Sequence, residues 1–149
     1  MKPVSSWIIV ADGSRARILR DVALSRPNGK IPEEMDFVSP QQPLRKIMSD
    51  KAGRAFESSG TRGSAMEPHS DPIERAEYAF AESLAETLEA HLRDKAFSKL
   101  AVIAAPKMLS HLRNSFSDSV KKTVFAEVAK DLTKLPSKEL QEAVRTLLA

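Results

Sequence analysis

The chain has 149 residues, 42% of them hydrophobic, no cysteine and a net charge of +3. That length and apolar content fit a single domain, 1–149, with a core of its own, and the lack of thiols excludes disulfides, thiolate catalysis and Cys-based zinc or iron–sulfur centres. The charge is uneven, net +1 over 1–40, +3 over 41–64, −5 over 65–96 and +4 over 97–149, which permits an anionic partner without requiring one.

The first six residues carry one positive charge, and the apolar run after them, Trp7 to Ala11, is five residues long. A secretory signal needs an apolar stretch of roughly 7–15 residues, and a membrane span about 18. The expectation is a cytoplasmic protein with no membrane partner. Trp7–Ala11 breaks at Asp12-Gly13 and is answered by the alternating run Arg15-Ala16-Arg17-Ile18-Leu19. Asp-Gly between two such runs predicts a hairpin over Trp7–Ala11 and Arg15–Asp21, with positive φ at both turn residues. After the turn Pro27-Asn28-Gly29, Glu34–Ser39 reads as a shorter third strand, stopped by Pro40 and Pro43, which cannot donate to a ladder.

From Pro40 to Ser70 no periodicity is sustained, and Gly53, Gly60 and Gly63 fall among polar and basic residues. A long flexible loop over about 40–70 is expected, most mobile over Lys46–His69, with a short helical turn near Leu44–Met48. Then Asp71 can N-cap, Pro72 suits the first helical position and Glu74 completes a capping-box-like spacing. Ile73, Ala76, Phe80, Leu84, Leu88 and Leu92 recur at helical spacing, so a long amphipathic helix packs one face on a sheet. Leu100–Ala105 is apolar throughout, as a strand buried on both faces is. Pro106 ends it and opens a helix over about Lys107–Phe116. Ser119–Leu132 reads two ways. Val120, Val124, Val128 and Leu132 share a helical face, whereas Val124, Ala126 and Val128 alternate as in a strand near Thr123–Ala129. Pro136-Ser137 introduces a last helix, with Leu140, Val144 and Leu147 or Leu148 turned inward.

Several of these stretches are similar to the bacterial host attachment family, proteins required for attachment to host cells. The resemblance runs through Trp7–Leu19, Asp50–Gly60, Ala105-Pro106 with Leu112-Arg113, and Lys130-Asp131-Leu132-Thr133, in family order and over nearly the whole chain. It implies the strand reading of Thr123–Ala129. The succession is then three antiparallel strands followed by helix, strand, helix, strand, helix: an α/β fold with a ribonuclease-H-like mixed sheet. The family also looks similar to the middle domain of archaeal and eukaryotic peptide release factors, a likeness of fold that assigns no activity.

Each chemical motif has a plain structural alternative. A ribonuclease-H-type centre needs carboxylates converging on two metals. Asp12 could supply one, but the end of the buried strand offers Ala104-Ala105-Pro106, so Asp12 reads as a turn residue bonding its own backbone. Release factors of this fold place a Gly-Gly-Gln tripeptide in the long loop. Here Ser58-Ser59-Gly60-Thr61-Arg62-Gly63-Ser64-Ala65 lacks the double glycine and the glutamine, and peptidyl-tRNA hydrolysis is not carried over. Lys51, Arg54 and Arg62 are candidate phosphate contacts in that loop. Glu67, His69 and Asp71 are weakly spaced as metal ligands, His91 and His111 lie far off, and no HExxH pair exists. Ser14, Ser58, Ser59 and Ser64 lack a GxSxG setting. Pro106-Lys107-Met108 opens a helix at a strand end, where orphan N–H groups and Lys107 attract anions. Arg113, two turns on, points away from Lys107 or anchors the loop; it is a candidate anion contact, and a structural salt bridge explains it equally well.

The sequence therefore predicts a small cytoplasmic binding protein rather than an enzyme, with no catalytic residue, cofactor or metal. Its role in attachment would be indirect, and the loop would meet a macromolecular partner. The alternative is an RNA- or ribosome-associated, release-factor-like module without the catalytic tripeptide. The candidate anion or RNA contacts are Lys51, Arg54, Arg62, Lys107 and Arg113.

Overall fold

The computed structural model describes residues 6–20, 33–40 and 71–148. Expectations about the turn at Pro27–Gly29, the helical turn near Leu44–Met48 and the mobility of Lys46–His69 lie outside the described residues. Five strands, β1 (Ser6–Ala11), β2 (Arg15–Leu19), β3 (Glu34–Val38), β4 (Lys99–Ala104) and β5 (Val124–Ala129), form one sheet in the order β3-β2-β1-β4-β5. Among the described residues four helices accompany it: α1 (Pro72–Arg93), α2 (Pro106–Ser115), α3 (Asp118–Thr123) and α4 (Ser137–Leu148). β1 pairs antiparallel with β2 and parallel with β4, β2 antiparallel with β3, and β4 parallel with β5. The sheet is mixed and the class is α/β.

The apolar runs of β1 and β4 are explained by two-sided burial. Trp7, Ile9 and Ala11 join Leu100, Val102 and Ala104 against Phe80, Leu84 and Leu88 of α1 and Met108 and Leu112 of α2. Ile8, Val10, Ala101 and Ile103 pack on the other side against Leu140 and Val144 of α4. Each such large apolar side chain contributes about 1.5–3 kcal/mol when fully buried. Trp7 also stacks on Phe97, with ring centroids 4.8 Å apart. The ambiguous Ser119–Leu132 stretch divides. Val120 is buried under the short helix α3, and β5 then alternates half-buried and exposed residues, as an edge strand does.

The helix boundaries follow from local chemistry. Asp71 accepts a bond from the Ile73 amide at 2.9 Å and Pro72 opens α1, which satisfies one of the orphan donors. At the far end Ala96 N donates to His91 O at 3.0 Å and Lys95 N to Leu92 O at 2.9 Å. This is the double-bonded Schellman ending, which needs a left-handed residue. Lys95 takes it with φ 61°, the only non-glycine with positive φ among the described residues. The Ser117 hydroxyl starts α3 by accepting from Val120 N at 3.2 Å. Hydrogen bonds from Ser117 and Arg93 hold the Glu89 carboxyl below the usual carboxylate range.

The hairpin corrects one expectation. Neither Asp12 nor Gly13 has positive φ, so the two-residue turn that Asp-Gly predicts is not formed. Instead Asp12 N bonds Arg15 O at 2.9 Å, and the Asp12 carboxylate accepts from Ser14 N and Arg15 N, both at 2.8 Å. A side-chain-bonded turn of this kind replaces the left-handed one. Gly13 serves close approach: a Cβ there would lie 2.2 Å from Oε2 of Glu77 on α1.

Candidate functional site

Because β1, β4 and β5 run parallel, their carboxyl ends at Ala11, Ala104 and Ala129 lie along one edge of the sheet. In open α/β sheets this is the edge that receives ligands. α2 starts there, directly after β4, and Ala105 N bonds Ala11 O at 3.2 Å. The first turns of α1 are also there, since Glu77 meets Gly13. Ser39 N bonds Ser14 O at 2.8 Å, which brings the end of β3 to the same edge. Ser39, next to Pro40, and Glu77, in the second turn of the helix that Asp71 caps, thus both meet this edge.

A polar cluster closes the edge beneath the hairpin turn. Asp12 uses one carboxylate oxygen for the turn amides, and its Oδ2 faces the Thr133 hydroxyl at 3.0 Å. The same hydroxyl lies 2.8 Å from Asp131 Oδ1, which also accepts from Thr133 N at 3.1 Å. One hydroxyl carries one proton, so Thr133 serves one of the two carboxylates at a time. Thr133 is buried, 2% exposed. The turn at Asp12 and the Lys130–Thr133 stretch, far apart in the chain, thus meet directly. The turn role read for Asp12 is what the geometry gives, with the bond to Thr133 added.

Next to this cluster Arg17 acts as a hub that sequence reasoning missed. Its Nε and Nη2 bond the Glu34 carboxylate at 2.9 and 3.1 Å. Nη2 also reaches Ser137 Oγ at 3.2 Å, and Nη1 donates to the carbonyls of Thr133, at 3.2 Å, and Leu135. All five guanidinium N–H donors are used. The side chains of Arg17 and Glu34 are only 11% and 13% exposed. One signal was available in sequence: Arg17 shares strand parity with the buried Leu19, so a charge falls on a core-facing position. Arg17 and its partners hold the 133–137 connection against β2 and form one wall of a cavity of about 640 Å³, bordered also by Arg15, Asp36, Val38 and Lys134.

Only two of the predicted contacts, Lys107 and Arg113, fall among the described residues. Lys51, Arg54 and Arg62 lie outside the described residues. Lys107 is exposed in the first turn of α2, whose N-cap, Ala105, provides no side-chain bond. Arg113 points to β5, where Nη2 and Nε bond Glu127 Oε1 at 2.5 and 3.1 Å. Of its two readings, the salt bridge is the one formed, and the pair raises the Arg113 pKa above its ordinary value. His91 packs on Trp7 at 5.1 Å and His111 on Tyr78 at 5.3 Å, well separated roles in packing. Among the described residues no three of His, Asp and Glu gather to hold a metal ion, and no helix is long and apolar enough to cross a membrane.

Fold and edge together define an α/β domain in which the strand-end carboxylates Asp12 and Asp131 are bonded to Thr133 and to backbone amides. Residues 7–144 match the family described as protein required for attachment to host cells, and the chain belongs to that family. No curated protein matches it.

Proposed function

We propose that the chain is a non-enzymatic, macromolecule-binding module that acts on attachment to host cells indirectly, from the cytoplasm. The observation that carries this reading is the engagement of the side chains at the carboxyl edge by their own neighbours. Asp12 and Asp131 accept from backbone amides and share the single Thr133 hydroxyl proton, and Arg17 is consumed by Glu34, Ser137 and two carbonyls. Groups so engaged serve as a rigid support rather than as general acids or nucleophiles, which need open hydrogen-bonding capacity toward a substrate. The chain on either side of the basic segment, through Ser39 and Glu77, meets this support, and that segment is the proposed contact with the partner.

A second reading makes the macromolecule RNA or a ribosome, on a ribonuclease-H-like sheet related to release-factor middle domains but without Gly-Gly-Gln. One feature favours it: the segment of net charge +3 over 41–64 is tethered to the edge where α2 begins with an exposed Lys107. Helix N-termini and lysines both favour phosphate. Tagged protein recovered from lysate with and without nuclease tests the pair of readings. A partner retained after nuclease treatment supports protein binding, and one lost supports RNA. Turnover of a peptidyl-tRNA or oligonucleotide by the purified chain would contradict both.

A further inference from the structure

We infer that the outer flank of β5 is a stacking platform for single-stranded nucleic acid, with Phe125 contacting a base and Lys121 and Lys122 contacting phosphates. Phe125 is 42% exposed, one of three large apolar side chains so exposed among the described residues. Its position is set by a register irregularity: Val124 pairs with Leu100 and Ala126 with Ala101, which leaves Phe125 as the extra residue. Such bulges at sheet edges re-aim a side chain. Phe125 borders an open cavity of about 440 Å³ with Phe116, Val124, Arg113 and Lys121. Phe116 is buried and supplies an apolar border. Glu127 fixes the planar guanidinium of Arg113 beside it, and such a plane also carries a base. Lys121 and Lys122 are exposed at the end of α3 that leads into this strand.

An exposed ring flanked by cations is the chemistry that binds single strands, where every base offers a π-face and the backbone offers charge. An added acidic peptide strand fits less well, since the bulge interrupts the regular ladder it would extend. This goes beyond the function proposed above: the site is on the flank of the sheet at the start of β5, and reads base faces as well as phosphates.

The test is fluorescence anisotropy of labelled oligouridylate, oligothymidylate and duplex, each about 12 nucleotides, across a salt series. The wild type is expected to prefer single strands, and the tighter of the uridylate and thymidylate arms names the polynucleotide. F125A should weaken binding about tenfold or more with an unchanged salt slope. F125W should retain binding and show quenched fluorescence on addition of the strand. K121A/K122A should lower the slope by about two units. Equal affinities of F125A and wild type would overturn the inference, as would binding of polyglutamate as tight as oligouridylate. If only K51A/R54A/R62A weakens binding, the flank site is wrong and the RNA reading of the loop stands. If the wild type binds none of the strands, both fall.

Discussion

Single side chains at the carboxyl edge decide whether the C-terminal crossing stays in place. Removing Arg17 leaves the Glu34 carboxylate, two carbonyls and Ser137 without their donor. Loss of one partner of a buried pair is the expensive case, so Arg17→Ala should cost about 3 kcal/mol in urea denaturation. Arg17→Lys should recover little of it, because an ammonium cannot reproduce the planar fork. A loss under about 1 kcal/mol for Arg17→Ala would mean that the hub contributes little. Gly13 offers a sharper contrast. Its φ is not positive and the Cβ conflict is with the far end of Glu77, so Gly13→Ala should stay within about 1 kcal/mol of wild type. In the Glu77→Ala background the same change should be neutral or stabilise by about 0.4–1 kcal/mol. A large cost in both backgrounds would restore the left-handed turn that the Asp-Gly pair predicts.

At the scale of elements, what is legible in the sequence is what local pattern alone determines. Trp7–Ala11 and Leu100–Ala105 are readable as strands because burial on both faces removes every polar residue from them. α1 is readable from Asp71, Pro72 and the spacing of Phe80, Leu84 and Leu88. Val120–Val128 is not, because α3 and β5 are short and adjoin without a glycine or proline between them. The turn at Asp12-Gly13 misleads because a carboxylate can bond the turn amides as readily as a left-handed backbone can close them. The ending of α1 carries a further consequence. Lys95 occupies a left-handed position that costs an L-residue about 1 kcal/mol and glycine almost nothing. Lys95→Gly should therefore raise stability by up to about 1 kcal/mol, read as a higher thermal midpoint by circular dichroism. A lowered midpoint would show that the lysine side chain has a stabilising contact that outweighs its backbone strain.

For the whole molecule, the site was legible only in fragments. Asp12 and Thr133 are 121 residues apart and Arg17 and Ser137 are 120 apart, and no local pattern announces contacts at that range. The topology explains them: once β5 ends at the carboxyl edge, the chain must return to the other face of the sheet to lay down α4, and its path passes Asp12 and Arg17. The result is a framework in which Arg17 and Glu34 are spent on holding that return. Acid should act on one part of this framework. Above the usual carboxylate range the Glu89 carboxylate keeps its bonds to Ser117 and Arg93, and that contribution is lost as pH falls through its depressed pKa.

The claim that the carboxyl edge serves binding through the segment between Pro40 and Asp71 has a direct test. Affinity for bulk ribosomal RNA is measured across a salt series for the wild type and for K51A/R54A/R62A. Each lost phosphate contact should reduce the salt slope by nearly one unit, so the triple variant should fall below wild type by up to about three units and bind more weakly. Equal slopes would move any phosphate-binding site elsewhere, and an absence of wild-type binding at low salt would contradict the RNA reading altogether.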